Sequence, residues 1–213
     1  MTNRSPSLTE SLVFSRDGLF ARLVHMSPRA RSAFALACAT RLRALWNAYA
    51  VKYAVADGAV FNRQMDGLWD SLRRGDGPGV AGNAGALDAL TAGDTDDRQE
   101  SGAWDPLPTF AQEALSALVY ALQACHSGEA TYAVWAGQVS YEACYQAVVG
   151  KSSRQGGGVD LEAHLAHLLV QRELHRQERD MLRLEQSFDL DALRELYAEV
   201  STEMALTADD LIS

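Results

Sequence analysis

Apolar side chains recur at three- and four-residue steps through most of this chain, the spacing that lines one face of a 3.6-residue helical period. The longest run opens at Ser27-Pro28, where serine can cap the first amides and proline at the first helical position gives up only an amide that has no partner. Phe34, Cys38, Leu42, Leu45, Tyr49, Tyr53 and Ala56 then follow one another along a single face, widened by Leu36, Trp46 and Val51. The spacing predicts one unbroken helix as far as Asp57-Gly58, about 40 Å long, with Gly58 in the left-handed conformation that ends helices. Phe61, Met65, Leu68 and Leu72 repeat the pattern with Trp69 beside them, and Arg63, Asp66, Asp70 and Arg73 take the opposite side. Two amphipathic helices with a tight joint read as an antiparallel hairpin.

A second hairpin is predicted downstream. Thr109 begins a helix with Phe110, Leu115, Leu118, Val119 and Leu122 on its face, ended by His126-Ser127-Gly128. Thr131 to Gly150 follows, with Tyr132, Trp135, Val139, Cys144 and Val148 expected inward and Gly137 marking a close helix contact. Before the first hairpin, Thr9 or Ser15 can cap a short turn, and Asp17 to Met26, with Leu19, Phe20, Leu23 and Val24, forms a short helix that folds back on the core. After the second, Asp160 caps the most charged helix, reaching about Gln186 with Val170, Leu174, Met181, Leu184 and Phe188 as its inner stripe. Glu173, Glu178, Asp180 and Glu185 alternate there with Arg172, Arg176, Arg179 and Arg183, the patterning of a solvated face. Asp189 or Asp191 caps a last helix through Val200. The expected fold is all-α: one domain over residues 1–213, a bundle of roughly six to eight helices built from two antiparallel hairpins and a long charged C-terminal helix.

Residues 75–106 break the pattern. Five glycines between Gly75 and Gly85 surround Pro78, and Asp94, Asp96, Asp97 and Glu100 follow, which makes a glycine-rich acidic insert. Gly77-Pro78-Gly79-Val80-Ala81-Gly82 matches the dinucleotide fingerprint in letters only, because that motif works between a strand and a helix and here it follows an amphipathic helix. No cofactor is expected. The acids from Asp94 imitate a calcium loop for three residues, then place Gln99 where glycine is required and Asp105 where glutamate is. Trp104 offers a large apolar ring inside this acidic loop that either tucks onto the domain, the commoner arrangement, or docks a partner, and Asp94, Asp96, Asp97 and Trp104 are the candidate partner-binding residues.

Charge narrows the function further. The net charge is −9, and it is unevenly placed: residues 1–57 hold 8 Lys and Arg against 3 Asp and Glu, residues 58–110 hold 4 against 9, and residues 111–213 hold 7 against 16. Nucleic-acid binding rests on cations that neutralise phosphates, so no nucleic-acid partner is expected and a basic protein is. Arginine outnumbers lysine 17 to 2 beside abundant alanine, which fits a GC-rich bacterial genome. The longest apolar stretch, Ala114–Cys125, is about twelve residues against the roughly twenty that cross a bilayer. With no apolar run behind Arg4 to act as a secretory signal, a cytoplasmic protein without membrane contact is expected.

No catalytic constellation emerges. Cys38, Cys125 and Cys144 lie far apart in apolar helical patterns, as buried reduced thiols do. Cys125 and His126 are adjacent, and neighbours on a helix diverge by about 100°. His164, His167 and His175, with Gln171 and Glu178 between them, form the best metal candidate, although one helix can offer only two of the three or four ligands zinc needs.

The series Phe34, Cys38, Arg41, Tyr49, Asp57-Gly58, Phe61, Asp66, Trp69, Leu72, then Glu113, Leu118, Tyr120, Leu122 and Gly128, then Leu168, Leu169, Glu178, Arg179 and Asp180, resembles the YjaG-like family of uncharacterised all-helical bacterial proteins. The likeness spans about two thirds of the chain and fails at the insert and the N-terminal lead. It implies the helical fold and no activity. Arg179 and Asp180 fit that pattern and also the solvated face, so Arg41, Asp66, Glu178, Arg179 and Asp180 form a candidate polar network tying the charged helix to the first hairpin. Three functions follow. The first is a non-enzymatic adaptor, regulator or immunity-type inhibitor with a basic protein partner. The second is a metal protein or enzyme built on the histidine stripe. The third is a homodimer that buries an alanine-rich helical face.

Overall fold

A computed structural model describes residues 11–55, 58–75, 105–154, 156, 160–186 and 188–212. Among them ten helices occur and no strand: α1 (Arg16–Leu23), α2 (Pro28–Arg41), α3 (Arg43–Lys52), α4 (Gly58–Arg74), α5 (Leu107–Ser127), α6 (Ala130–Arg154), α7 (Leu161–Leu165), α8 (Leu168–Gln186), α9 (Leu190–Thr202) and α10 (Ala208–Ile212). The all-α bundle follows the sequence pattern, with more and shorter pieces than expected. The candidate partner residues Asp94, Asp96, Asp97 and Trp104 lie outside the described residues.

Helix α2 is the axis of the bundle. Ala30, Ala33, Phe34, Ala35, Leu36, Ala37, Cys38 and Ala39 are all buried in it, and α5 and α6 pack along it as an antiparallel pair. Small side chains let these backbones approach closely, so the alanine-rich face once available for self-association is filled within the chain. Helix α4 runs back along α2 and α3. Trp46 stacks on Phe61 at 5.0 Å, Asn62 Nδ2 donates to Asn47 Oδ1 at 2.8 Å, and Trp69 Nε1 donates to Thr40 Oγ1 at 2.9 Å. Val51, expected to widen this core, is 83% exposed, because α3 turns it away from α4.

The predicted 40 Å helix is broken at Leu42, whose amide folds back to the Ala39 and Thr40 carbonyls. Two contacts account for the break. Thr40 Oγ1 donates to the Leu36 carbonyl at 2.6 Å, a back-bond that bends helices. The Arg41 carbonyl accepts from the Ala205 amide at 2.9 Å, a contact open to it because the Leu45 amide bonds Leu42 instead. The end of α3 also differs from expectation. Ala54, at φ 48°, takes the left-handed conformation, while Gly58 opens α4, where a Cβ would sit 2.8 Å from Ala50 Cβ.

Local caps fall where side-chain chemistry places them: Ser15, Ser27, Asp160 and Asp189 each accept an amide of the first turn. The turn between α5 and α6 depends on Gly128 at φ 72°. A Cβ there would lie 2.8 Å from the ring of Pro28, which cannot move aside. Gly128→Ala combines left-handed strain with this clash and is expected to destabilise by about 2–4 kcal/mol, read as a lower urea midpoint with an unchanged slope.

Helix α8 closes the bundle. It runs antiparallel to α6, with Gln177 Nε2 donating to the Gly137 carbonyl at 3.0 Å. It meets α1 through Arg22, which binds Glu178 at 2.5 Å and Glu185 at 2.8 Å. Leu19 and Leu23 of α1 face inward as expected, whereas Phe20 and Val24 are more than 40% exposed.

Candidate functional site

The polar centre of the protein is Arg41, whose side chain is fully buried along with those of Glu173 and Asp180. Arg41 stands at the last turn of α2, three residues after Cys38 and on the same apolar stripe, so the helix carries its guanidinium straight into the core. Its Nη1 donates to Asp180 Oδ2 at 2.5 Å and its Nε to Glu173 Oε2 at 3.1 Å. Nη2 reaches Glu173 Oε1 at 3.3 Å and Cys38 Sγ at 3.5 Å. Ser140 Oγ of α6 and Gln177 Nε2 of α8 each donate to Glu173 Oε1 at 2.8 Å. One cation thus holds two carboxylates at the junction of α2, α6 and α8.

Electrostatics at this centre are set by burial. Burial alone would lower the Arg41 pKa, but Glu173 and Asp180 outweigh it, and the guanidinium stays charged. Burial raises the Asp180 carboxyl against the pull of Arg41, and Asp180 Oδ1 has no hydrogen-bond partner among the described residues.

The predicted polar network divides on this geometry. Arg41 and Asp180 meet, whereas Asp66 pairs with Arg43 at 2.5 Å, Glu178 with Arg22, and Arg179 with Glu203 at 2.6 Å. Glu173 and Asp180 were expected on a solvated face and are buried instead, since the counter-charge that makes burial tolerable comes from a helix far away in sequence. A signal for Glu173 does exist in the sequence. Val170, Glu173, Leu174, Gln177, Met181 and Leu184 form one stripe at three- and four-residue steps, and all are buried.

The remaining arginines of α8 face the C-terminal segment. Arg172 and Arg176 donate to the Ala205 and Met204 carbonyls at 2.8 and 2.9 Å. Arg179 binds Glu203 and Arg183 binds Glu199 at 2.5 Å. Together with the Ala205–Arg41 backbone contact, these bonds seat Ala205 and Leu206 in the core.

The histidine stripe does not converge. His164 is buried against Ser152 Oγ at 3.0 Å and the edge of Tyr145, His167 Nδ1 accepts the Leu169 amide at 3.2 Å, and His175 is exposed. A break at Ala166 and His167 splits the predicted long helix into α7 and α8 and turns these rings apart. No group of three His, Cys, Asp or Glu that could hold a metal occurs among the described residues. Cys38 and Cys144 are buried, and burial pushes the Cys125 thiol up to about 12, far from a nucleophile at neutral pH.

Three clefts among the described residues lie along α1 and α8, and none is lined by Arg41, Glu173 or Asp180. The one between the 12–15 segment, α1 and α8 has a volume of about 240 Å³ and is bordered by Leu12, Phe14, Leu19, Leu174, Gln177 and Met181. No described helix is long and apolar enough to cross a membrane. Acid–base or nucleophilic chemistry needs a group within reach of a reacting atom, and the Arg41 centre is closed to solvent. Its arrangement serves to lock three helices together.

Comparison with known proteins agrees on the fold. The structure is similar to a crystal structure of a DUF416 family protein from Shewanella baltica OS155, with a TM-score of 0.66 at 17% identity over 85% of this chain and 92% of that one. No curated protein matches this sequence. The family model described as "Protein of unknown function (DUF416)" matches residues 18–205, which contain α2 to α9 and the whole Arg41 centre, and the chain therefore belongs to the DUF416 family.

Proposed function

We propose that this chain is a non-enzymatic, cytoplasmic helical protein that binds a basic protein partner as an adaptor, regulator or immunity-type inhibitor, and that it stands among the YjaG-like members of its family. One observation carries the reading: eight of the chain's 19 lysines and arginines are turned to internal use. Arg29 and Arg31 bind backbone carbonyls, Arg172 and Arg176 do the same, and Arg22, Arg41, Arg179 and Arg183 hold carboxylates. The surface is left with the acidic excess of a chain whose net charge is −9, a field that draws cationic proteins and repels nucleic acid. Asp94, Asp96 and Asp97 add to that charge in the insert, and Trp104, close by in sequence, is the apolar anchor. The sealed Arg41 centre supports a scaffold rather than a catalyst.

The test is affinity capture of the tagged full chain from its own cells at low salt, followed by reconstitution with the purified partner. A stoichiometric complex with a basic protein is expected, weakened by high salt and by the Asp94→Asn, Asp96→Asn, Asp97→Asn combination. A partner-free protein carrying about one transition metal per chain would overturn the binding reading.

A further inference from the structure

Tyr132 and Trp135, expected in the core, are instead half-buried on the outside of the α5–α6 pair. Trp135 leans on Tyr120 of α5 at 5.3 Å and on Tyr132 at 5.4 Å, the latter ring nearly perpendicular at 84°. Three aromatic rings with partly exposed faces therefore sit together on one surface, and tryptophan and tyrosine are the side chains on which interfaces most often anchor.

The same surface continues into two carboxylates. Trp135, Gln138 and Glu142 follow one face of α6 at steps of three and four, and Glu113, Ser116 and Tyr120 do so on α5. The helices are antiparallel, so Tyr120 meets Trp135 at one end and Glu113 meets Glu142 and Gln146 at the other, about 10 Å away. Gln138 Nε2 donates to Glu142 Oε1 at 2.8 Å, and Gln146 bonds Glu113. Burial raises the Glu113 carboxyl, and the charge of Glu142 adds to the effect. Elsewhere the chain gives its partly buried glutamates a guanidinium: Glu178 has Arg22, and Glu199 and Glu203 have Arg183 and Arg179. Glu113 and Glu142 have amides.

We propose that this seam is the docking surface for an arginine-bearing amphipathic helix of a partner protein, its apolar side chain seated on Trp135, Tyr120 and Tyr132 and its arginine between Glu113 and Glu142. A helical ligand presents side chains seven residues apart at the same spacing of about 10 Å, and a guanidinium satisfies two carboxylates at once. Net charge favours a separate cationic partner over nearer occupants. The chain's own insert carries Asp94, Asp96, Asp97 and Glu100 against Arg98, and a second copy brings a further net charge of −9. This inference rests on the protein-binding reading above and adds to the insert a second contact surface on α5 and α6, with the chemistry of the partner segment it takes.

The probe is a displayed library of helical peptides selected on the full chain, with enriched sequences synthesised and titrated by fluorescence anisotropy. Peptides with an arginine seven residues from an aromatic or aliphatic side chain are expected to be enriched. Their affinity should fall about tenfold or more in Glu113→Gln/Glu142→Gln and in Trp135→Ala, and stay unchanged in Glu195→Gln, an exposed acid of α9 outside the seam. Glu113→Gln/Glu142→Gln is expected to fold as stably as the parent, because it removes like charges and keeps the amide contacts; a loss of stability would assign the pair a structural role and overturn the proposal. Enriched peptides that lack arginine, or that bind both seam variants as well as the parent, would overturn the seam and leave the binding reading standing. Failure to enrich any peptide, or sedimentation showing a seam-dependent homodimer, would overturn it as well.

Discussion

Arg41→Ala is expected to lower stability by roughly 3–5 kcal/mol, enough to leave much of the protein unfolded at ordinary growth temperature. The size comes from what remains. Without the guanidinium, Glu173 and Asp180 become two carboxylates in the core with no cation, each fully buried, and uncompensated buried charge is among the most damaging changes a fold can suffer. Removing a carboxylate acts differently. Glu173→Gln keeps an acceptor for Ser140 and leaves Arg41 paired one-to-one with Asp180, so the loss is expected to be only about 1–2 kcal/mol. Arg41→Lys keeps the charge but loses the fork that reaches both acids, and should fall between the two. Urea midpoints of the three variants check the order. Equal damage from Arg41→Ala and Glu173→Gln would mean that the centre acts through packing alone.

The order of these effects also marks what sequence could and could not show. Arg41 stands on the apolar stripe of Phe34 and Cys38, and its misfit there is visible in the periodicity. Glu173 sits on the stripe of Val170 and Leu174 in the same way, yet the arginines around it suggest an exposed ion-pair lattice, and nothing local distinguishes the two. The caps at Ser15, Ser27, Asp160 and Asp189 were legible because a cap is a contact within one turn. The break at Leu42 was hidden because the Thr40 back-bond does not by itself end a helix, and the Ala205 amide that takes up the Arg41 carbonyl arrives from a segment far along the chain. Tyr132 and Trp135 were placed inward for a related reason: an aromatic ring fits the periodicity of a core and of a docking surface equally well.

Trp69→Ala is expected to produce a loss of similar size, about 3–5 kcal/mol, seen as a fall in Tm of about 6–20 °C for a chain of this size. The indole is fully buried and joins three elements. Its Nε1 donates to Thr40 Oγ1, its edge meets Tyr197 of α9 at 5.3 Å, and its body fills the space between α4 and α2. Trp69→Phe retains most of the volume and deletes the donor, so about 1–2 kcal/mol should be lost. If Trp69→Ala melts within 2 °C or so of the parent, α4 is held chiefly by its outer contacts, such as Arg29 to the Leu72 carbonyl.

The Arg41 centre has one consequence for how the protein is made. The guanidinium emerges from the ribosome early, while Asp180 follows 139 residues later in the chain, roughly 7–28 s at ordinary rates of synthesis. The Ala205 amide that completes the Arg41 carbonyl comes later still. During that interval α2 can pair with α4, α5 and α6 only if its last turn stays wet, so the growing chain must wait, partly open at one end of its central helix, until α8 and the segment beyond it arrive to seal the core.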